Sequence, residues 1–74
     1  MITKDELKEY GEVQVCEEVN GKFHVKITKG FDSNAIKTFE IMKKITESVG
    51  DKYPIVDKCV TDDNLFDFIL KPKS

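Results

Sequence analysis

The chain lacks tryptophan and arginine and has little cysteine, proline or histidine. Its 74 residues include two cysteines and two prolines, and all 12 basic residues are lysines. Two cysteines are too few for the disulfide framework of small secreted domains. Arginine makes the commonest base-specific contacts to DNA. Its absence, together with a net charge of −2, excludes a strongly positive overall field of the kind that attracts nucleic acids.

Long hydrophobic runs are also missing. No apolar segment approaches the length of a membrane-spanning helix, and the polar start MITKDELKEY lacks the apolar core of a secretory signal. We therefore expect a cytoplasmic protein with reduced thiols and no membrane interaction. The composition is 39% hydrophobic and 35% charged, which is typical of a folded domain. At this length we expect a single small α+β domain over residues 1–74.

The strongest periodic pattern lies in residues 32–49, DSNAIKTFEIMKKITESV. Its apolar residues recur at helical spacing and form one stripe: Ala35, Ile36, Phe39, Met42, Ile45 and Val49. Ile41 falls outside this stripe, and we expect it at the edge. Asp32 or Ser33 can cap the start of the helix. A helix of this kind is marginal alone in water, so it needs a surface to pack against.

A first β-hairpin is predicted from EVQVCEEV and KFHVKIT, which flank an Asn-Gly pair. A two-residue loop would scatter the apolar residues between the two faces of the hairpin. We therefore predict a three-residue loop over residues 19–21. This register pairs Val15 with Val25 on the core face. It also pairs Val13 with Ile27.

A second hairpin is predicted after the helix, from YPIVDKCV and LFDFIL around the turn TDDN. A three-residue loop over residues 62–64 is again expected, with an asparagine in the left-handed position. It pairs Val60 with Phe66. It also pairs Val56 with Leu70, so that both valines face the core.

Two hairpins side by side give a four-stranded antiparallel sheet. With the long helix on one face, the predicted fold is a two-layer α+β sandwich in the order ββαββ, preceded by a short N-terminal helix. An alternative makes residues 63–70 a short helix instead of a strand. The order of the strands in the sheet cannot be read from the residues.

The sheet face opposite the long helix is where the predicted registers collect the candidate functional residues. They place Cys16 beside His24, and Cys59 beside Asp67. Ile55, Leu65 and Ile69 share this face. Small domains seldom leave such apolar residues bare, so we expect a cover, either the N-terminal helix or a partner chain.

The first functional hypothesis is a small non-enzymatic protein-interaction or regulatory module. It would bind a protein partner, or form a homodimer, through the open sheet face or an edge strand. The predicted contact residues are Cys16, His24, Lys26, Leu65, Asp67 and Ile69. No phosphate-loop, dinucleotide or hydrolase signature is present, so we expect no enzymatic activity, cofactor or metal. Small acidic proteins rich in lysine and free of arginine occur among low-GC bacteria and their phages, so we expect a bacterial or phage origin.

Two alternative functions are also consistent with the sequence. A nucleic-acid-binding regulator could use the sheet as an RNA platform, or a lysine-bearing surface, although the phenylalanines of the strands are expected in the core. A thiol-dependent enzyme could use Cys16 and His24, because an imidazolium lowers the pKa of a neighbouring thiol. A zinc site that combines these two residues with Cys59 and Asp67 lacks the usual ligand spacing.

Overall fold

The computed structural model describes residues 1–74 and contains two α-helices, a 3-10 turn and four strands. In chain order these are α1 (Lys4–Leu7), the 3-10 turn (Lys8–Tyr10), β1 (Glu12–Val19), β2 (Lys22–Thr28), α2 (Ala35–Val49), β3 (Ile55–Asp62) and β4 (Leu65–Lys71). The strands form one antiparallel sheet in the order β1-β2-β4-β3. The predicted α+β fold is confirmed, and the segment after residue 64 is a strand rather than a helix. Neither helix is long and apolar enough to cross a membrane.

The two central strands, β2 and β4, form the apolar floor of the core. Six of their side chains alternate onto one face and are at most 1% exposed: Phe23, Val25, Ile27, Phe66, Phe68 and Leu70. The register brings them together in pairs, with Val25 opposite Phe68 and Ile27 opposite Phe66. Side chains on directly opposed positions share a face of the sheet. The predicted core face of these two strands is therefore confirmed.

Helix α2 packs on this floor, but its buried stripe differs from the predicted one. Ile41, Ile45 and Val49 are buried, whereas Ile36 and Phe39 are 74% and 68% exposed. The prediction treated the sheet as the only surface that the helix covers. In the structure the N-terminal segment also packs along one side of α2. The buried surface of the helix is therefore turned toward that segment, and Ile41 lies within it.

The N-terminal segment lies on the same side of the sheet as α2. Ile2, Leu7 and Tyr10 are buried in the shared core. The backbone N–H of Ile2 donates to Ser48 Oγ at 2.7 Å, and Lys44 Nζ pairs with the Glu9 carboxylate at 2.9 Å. Of the two covers expected for the opposite sheet face, the N-terminal helix is therefore excluded.

The loop of the first hairpin has two residues, not the predicted three. Asn20 and Gly21 both have positive φ, 53° and 80°, which is the type I′ geometry that Asn-Gly favours. As a result Val15 lies opposite Lys26, and Cys16 lies opposite Val25. The predicted pair of Val15 and Val25 is wrong.

At the end of this hairpin away from the loop, a β-bulge shifts the strand pairing back to the predicted register. The pairing shifts between Val13 and Val15, so that Val13 lies opposite Ile27 as predicted. A bulge adds one residue to one strand and moves the following side chains to the other face. The local preference of the turn and the burial of Val13 are therefore both satisfied.

The second hairpin repeats this arrangement. Its loop is Asp63-Asn64, with Asn64 at φ 62°, so Val60 faces Asp67 instead of Phe66. A register shift between Val56 and Lys58 then restores the predicted pair of Val56 and Leu70. In both hairpins the extra residue lies in the outer strand, which has a neighbour on one side only and can deform more easily.

Gly11, between the 3-10 turn and β1, allows a close approach of the chain to the end of β2. Its φ is 143°, and an added Cβ would lie 2.8 Å from Ile27 Cγ2 and 2.9 Å from the Lys29 carbonyl oxygen. We predict that Gly11→Ala lowers the free energy of unfolding by about 2 kcal/mol, through backbone strain and steric overlap. Urea denaturation measures this loss.

The matched control is Gly21→Ala. Gly21 also has a positive φ, 80°, but an added Cβ there meets nothing within 4 Å. This variant should lose less stability than Gly11→Ala, because it introduces strain without overlap. An equal or larger loss for Gly21→Ala would contradict the role assigned to the close approach at Gly11.

Candidate interaction surfaces

The sheet face opposite α2, here called the open face, is covered by no other element of the chain. Its residues follow from the strand registers, because directly opposed residues share a face. Five of the six predicted contact residues lie on it: His24, Lys26, Leu65, Asp67 and Ile69. Their role in partner binding stays a prediction.

Cys16 lies on the other face, and its predicted position is wrong. It is opposite Val25 and packs against the core beneath the N-terminal segment. Its Sγ donates to the Ile2 carbonyl oxygen at 3.6 Å. Burial, and secondarily the nearby charge of Glu6, raises the pKa of the Cys16 thiol. The proposed pairing of this thiol with His24 is not formed, because the two side chains point to opposite faces.

Cys59 is displaced in the same way. It lies opposite Phe68 on the helix side of the sheet, not opposite Asp67, and partial burial raises the pKa of its thiol. Both errors have one cause, since the two-residue loops shift the adjoining part of each outer strand by one position. No group of three or more histidine, cysteine or acidic side chains is placed to hold a metal ion.

Asp67 is the most buried charged residue, and it occupies the centre of the open face. It is 7% exposed. Its Oδ1 accepts a hydrogen bond from His24 Nε2 at 2.6 Å, and its Oδ2 accepts one from Lys58 Nζ at 2.9 Å. Burial raises the pKa of Asp67, but hydrogen bonds from Lys58 and His24 together outweigh burial, so its pKa lies below the ordinary 3.8. An ionised carboxylate only accepts, so the proton lies on Nε2.

A second ion pair on the open face involves Asp57. Its carboxylate lies 2.8 Å from Lys22 Nζ and 3.8 Å from Lys71 Nζ. The charges around Asp67 and Asp57 are therefore paired within the chain, and apolar side chains such as Leu65 and Ile69 lie between them. Other charged residues of the open face have no ion pair: Glu17, Lys26 and Asp62. Alternation of this kind is typical of a sheet face that contacts water.

A different surface lies at the edge of the sheet formed by β3. The strand is hydrogen-bonded to β4 on one side, is last in the strand order, and is exposed at all eight positions. Val56 is 51% exposed, and Val60 is 40% exposed. The backbone N–H and C=O groups that point away from β4 are consequently free to pair with another chain.

Helix α2 has two flanks, one toward the N-terminal segment and one toward β3. Successive helical residues are about 100° apart, so Glu40 and Lys44 lie on one flank, where they contact Tyr10 and Glu9. That flank faces the N-terminal segment, which packs on β1. Phe39 and Met42 are on the opposite flank, which therefore faces β3.

This second flank of α2 forms a shallow groove of about 270 Å³, lined by Phe39, Met42, Lys43 and Thr46. We call the β3 edge together with this flank the β3 edge surface. The surface combines free backbone groups with exposed apolar side chains. The sequence hypothesis included binding through an edge strand but did not identify β3, because the strand order was unknown and Phe39 was assigned to the core.

The other edge strand, β1, has a different character. Its exposed residues include three glutamates, Glu12, Glu17 and Glu18, and β1 packs against the N-terminal segment on one face. Like charges are a common protection of an edge strand against pairing, whereas a bulge is present in both outer strands. The two edges of the sheet are therefore not equivalent.

The aromatic residues of the strands lie beneath the sheet rather than on the open face. Phe23, Phe66 and Phe68 are at most 1% exposed, as predicted. RNA-binding sheets stack bases on exposed aromatic side chains, and the open face presents no phenylalanine or tyrosine and only one histidine, His24, which is hydrogen-bonded to Asp67. Comparison with protein-family models, curated proteins and solved structures finds no match to this chain.

We predict that Asp67→Asn lowers the free energy of unfolding by about 2 kcal/mol at neutral pH, because it weakens two charge-assisted hydrogen bonds. The folded-state pKa is depressed, so the ionised group stabilises the fold above about pH 4. The contribution is lost as the pH falls through the lowered pKa of Asp67. The difference between wild type and variant should therefore shrink on acidification.

Urea denaturation at about pH 7 and about pH 2.5 measures both effects. Asp57→Asn is the matched control, since its ion pairs are more exposed and such pairs contribute little. A difference between wild type and Asp67→Asn that does not depend on pH would show that Asp67 does not act through its charge.

Proposed function

We propose that this protein is a non-enzymatic interaction module that binds a protein partner by adding a strand to β3. The observation that carries the proposal is the concentration of exposed apolar side chains on and beside this unpaired edge. Of the seven exposed large hydrophobic residues, three belong to β3, and a fourth belongs to the flank of α2 on the β3 side: Ile55, Val56, Val60 and Phe39.

Strand addition fits the chemistry of this surface. An extended segment of the partner would pair with the free N–H and C=O groups of β3, which provides affinity that depends little on sequence. Side chains of the added strand on the helix side would lie near Val56 and the groove beside Phe39. Contacts there would supply specificity.

The open face is a weaker candidate for the primary contact. Its central carboxylate, Asp67, already has two partners within the chain, and a partner that buried this face would have to desolvate these charges. The apolar residues of the two central strands there are partly buried, whereas those of β3 are exposed. The edge therefore offers more unpaired surface at a lower desolvation cost.

A photo-cross-linking amino acid placed at one edge or the other tests the proposal in the native host. Val60 on β3 and Val19 on β1 are matched positions, since their side chains are 40% and 41% exposed. Benzoylphenylalanine at position 60 should yield a discrete cross-linked protein, which can be a second copy or another chain. The same group at position 19 should not yield that product.

A second substitution tests whether the contact depends on the β3 edge itself. Adding Val56→Lys should weaken the product formed at position 60, because it replaces an exposed apolar side chain of the edge with a charge that a docked strand would have to desolvate. Absence of any product at position 60, or an equal product at position 19, would overturn the proposal.

A further inference from the structure

We propose that the strand added to β3 is β3 of a second copy, in an antiparallel register centred on Val60. The inference rests on the proposed function, because it requires β3 to be the binding edge. The product is a two-fold symmetric dimer in which two four-stranded sheets become one continuous sheet. In such an isologous contact the same residues meet from both sides.

The alternation of side chains restricts the register. Lys58, Val60 and Asp62 lie on the open face, because they oppose Ile69, Asp67 and Leu65. The two residues between them, Cys59 and Thr61, lie on the helix side. Directly opposed residues in one sheet share a face. Self-pairing of this stretch must therefore be centred on a residue, not between two residues.

Charge selects among the remaining registers. When the centre is Val60, Lys58 lies opposite Asp62 of the second copy, and the two-fold axis repeats this pair. Val60 then lies opposite Val60 of the second copy, so two apolar side chains are in contact. A centre at Cys59 places Lys58 opposite a valine, and a centre at Thr61 places Asp62 opposite a valine. Only the Val60 register matches both charges of this stretch, and opposed opposite charges stabilise antiparallel pairs.

Lys58 can enter this pair without leaving its present partner. Its Nζ lies 2.9 Å from Asp67 Oδ2, and its side chain is 50% exposed. An ammonium group has three N–H donors. One can therefore serve Asp67 within the chain, and another can serve Asp62 of the second copy.

The helix side of the dimer is consistent with the same arrangement. Antiparallel pairing of identical strands requires a two-fold axis perpendicular to the sheet, so both copies of α2 lie on one face. The flank that carries Phe39 and Met42 then points toward the other subunit, above Val56 and Cys59. Of the exposed apolar residues of β3, Val60 lies within the paired stretch 58–62. Val56 lies just beyond it, opposite the turn residue Asn64 of the second copy.

Sedimentation equilibrium from about 1 µM to about 1 mM measures the self-association, which depends on concentration by mass action. Wild type should be a dimer at the upper concentrations. Val60→Lys should raise the dissociation constant of the dimer by about tenfold or more, since two lysines would meet at the centre of the interface. Val19→Lys, at the matched position on β1, should leave the association unchanged.

Charge reversal tests the register. Lys58→Asp and Asp62→Lys should each impair self-association, because each places like charges opposite one another. An equimolar mixture of the two variants should form a heterodimer, because both pairs then have opposite signs. Association of neither variant alone, together with recovery in the mixture, identifies the pairing of residue 58 with residue 62.

A cysteine variant gives an independent measurement that leaves Lys58 in place. In the Val60 register Cys59 lies opposite Thr61 of the second copy, so Thr61→Cys brings two thiols within reach of a disulfide. Mild oxidation with copper phenanthroline and dissolved oxygen should convert this variant to a covalent dimer. Adding Cys59→Ser to it should prevent the cross-link, because the Val60 register pairs position 61 with Cys59; cross-linking of the double variant would indicate the register centred on Thr61 and would overturn the proposed one. Wild type should cross-link much less under the same conditions. Equal cross-linking of wild type would indicate the register centred on Cys59 and would overturn the proposed one.

The outcomes separate this inference from the proposed function. A wild-type protein that stays monomeric to about 1 mM overturns the dimer. If position 60 nevertheless cross-links to a different protein, strand addition at β3 stands and only the identity of the partner is wrong. A monomer that also gives no cross-linked product at position 60 overturns both proposals. Equal disruption by Val19→Lys and Val60→Lys would likewise reject β3 as the dimer contact.

Discussion

The fold depends on the packing of the apolar floor of β2 and β4 against α2. Phe23, Val25 and Ile27 on one strand oppose Leu70, Phe68 and Phe66 on the other, and all are nearly inaccessible to water. Each fully buried side chain of this size contributes about 1.5–3 kcal/mol relative to exposure. The second strand of each hairpin is therefore central in the sheet. The first hairpin supplies one half of this floor, and the second supplies the other.

One helix and a short N-terminal segment are not enough to cover four strands. The N-terminal segment packs on the β1 side of α2, where it buries Leu7 and Tyr10. Nothing equivalent is present on the β3 side. A chain of 74 residues buries a smaller share of its surface than a larger domain does. The exposure of Val56 and Phe39 is the consequence of covering one side of the helix and not the other.

The sequence allowed the fold class, the two hairpins, the long helix and the faces of the central strands to be predicted. These features follow from strong local patterns, such as the alternation in KFHVKIT and LFDFIL. The registers of the outer strands were mispredicted near the loops. The prediction assumed that the preferred two-residue turn and the burial of apolar side chains on one face could not both be satisfied. The bulges between Val13 and Val15 and between Val56 and Lys58 satisfy both.

The candidate site could be predicted only in part for the same reason. His24 and Asp67 were placed on one face correctly, because both lie on central strands whose alternation is regular. Cys16 and Cys59 were placed on the wrong face, because each lies between a two-residue loop and a bulge. The contact of His24 with Asp67 also required the order of β2 and β4 in the sheet. Strand order depends on packing between elements distant in the chain, which no local pattern reports.

The difference between the two edges bears on how far association can proceed. A sheet with two free edges can add copies without limit, which leads to filaments. Here the acidic β1 edge, with Glu12, Glu17 and Glu18, opposes pairing with itself, and β3 carries residues of both signs. A contact of β3 with its own equivalent is closed by a two-fold axis and leaves only β1 edges outside. Self-pairing at β3 therefore stops at two copies, because the acidic β1 edge, which disfavours pairing, lies at each end of the joined sheet.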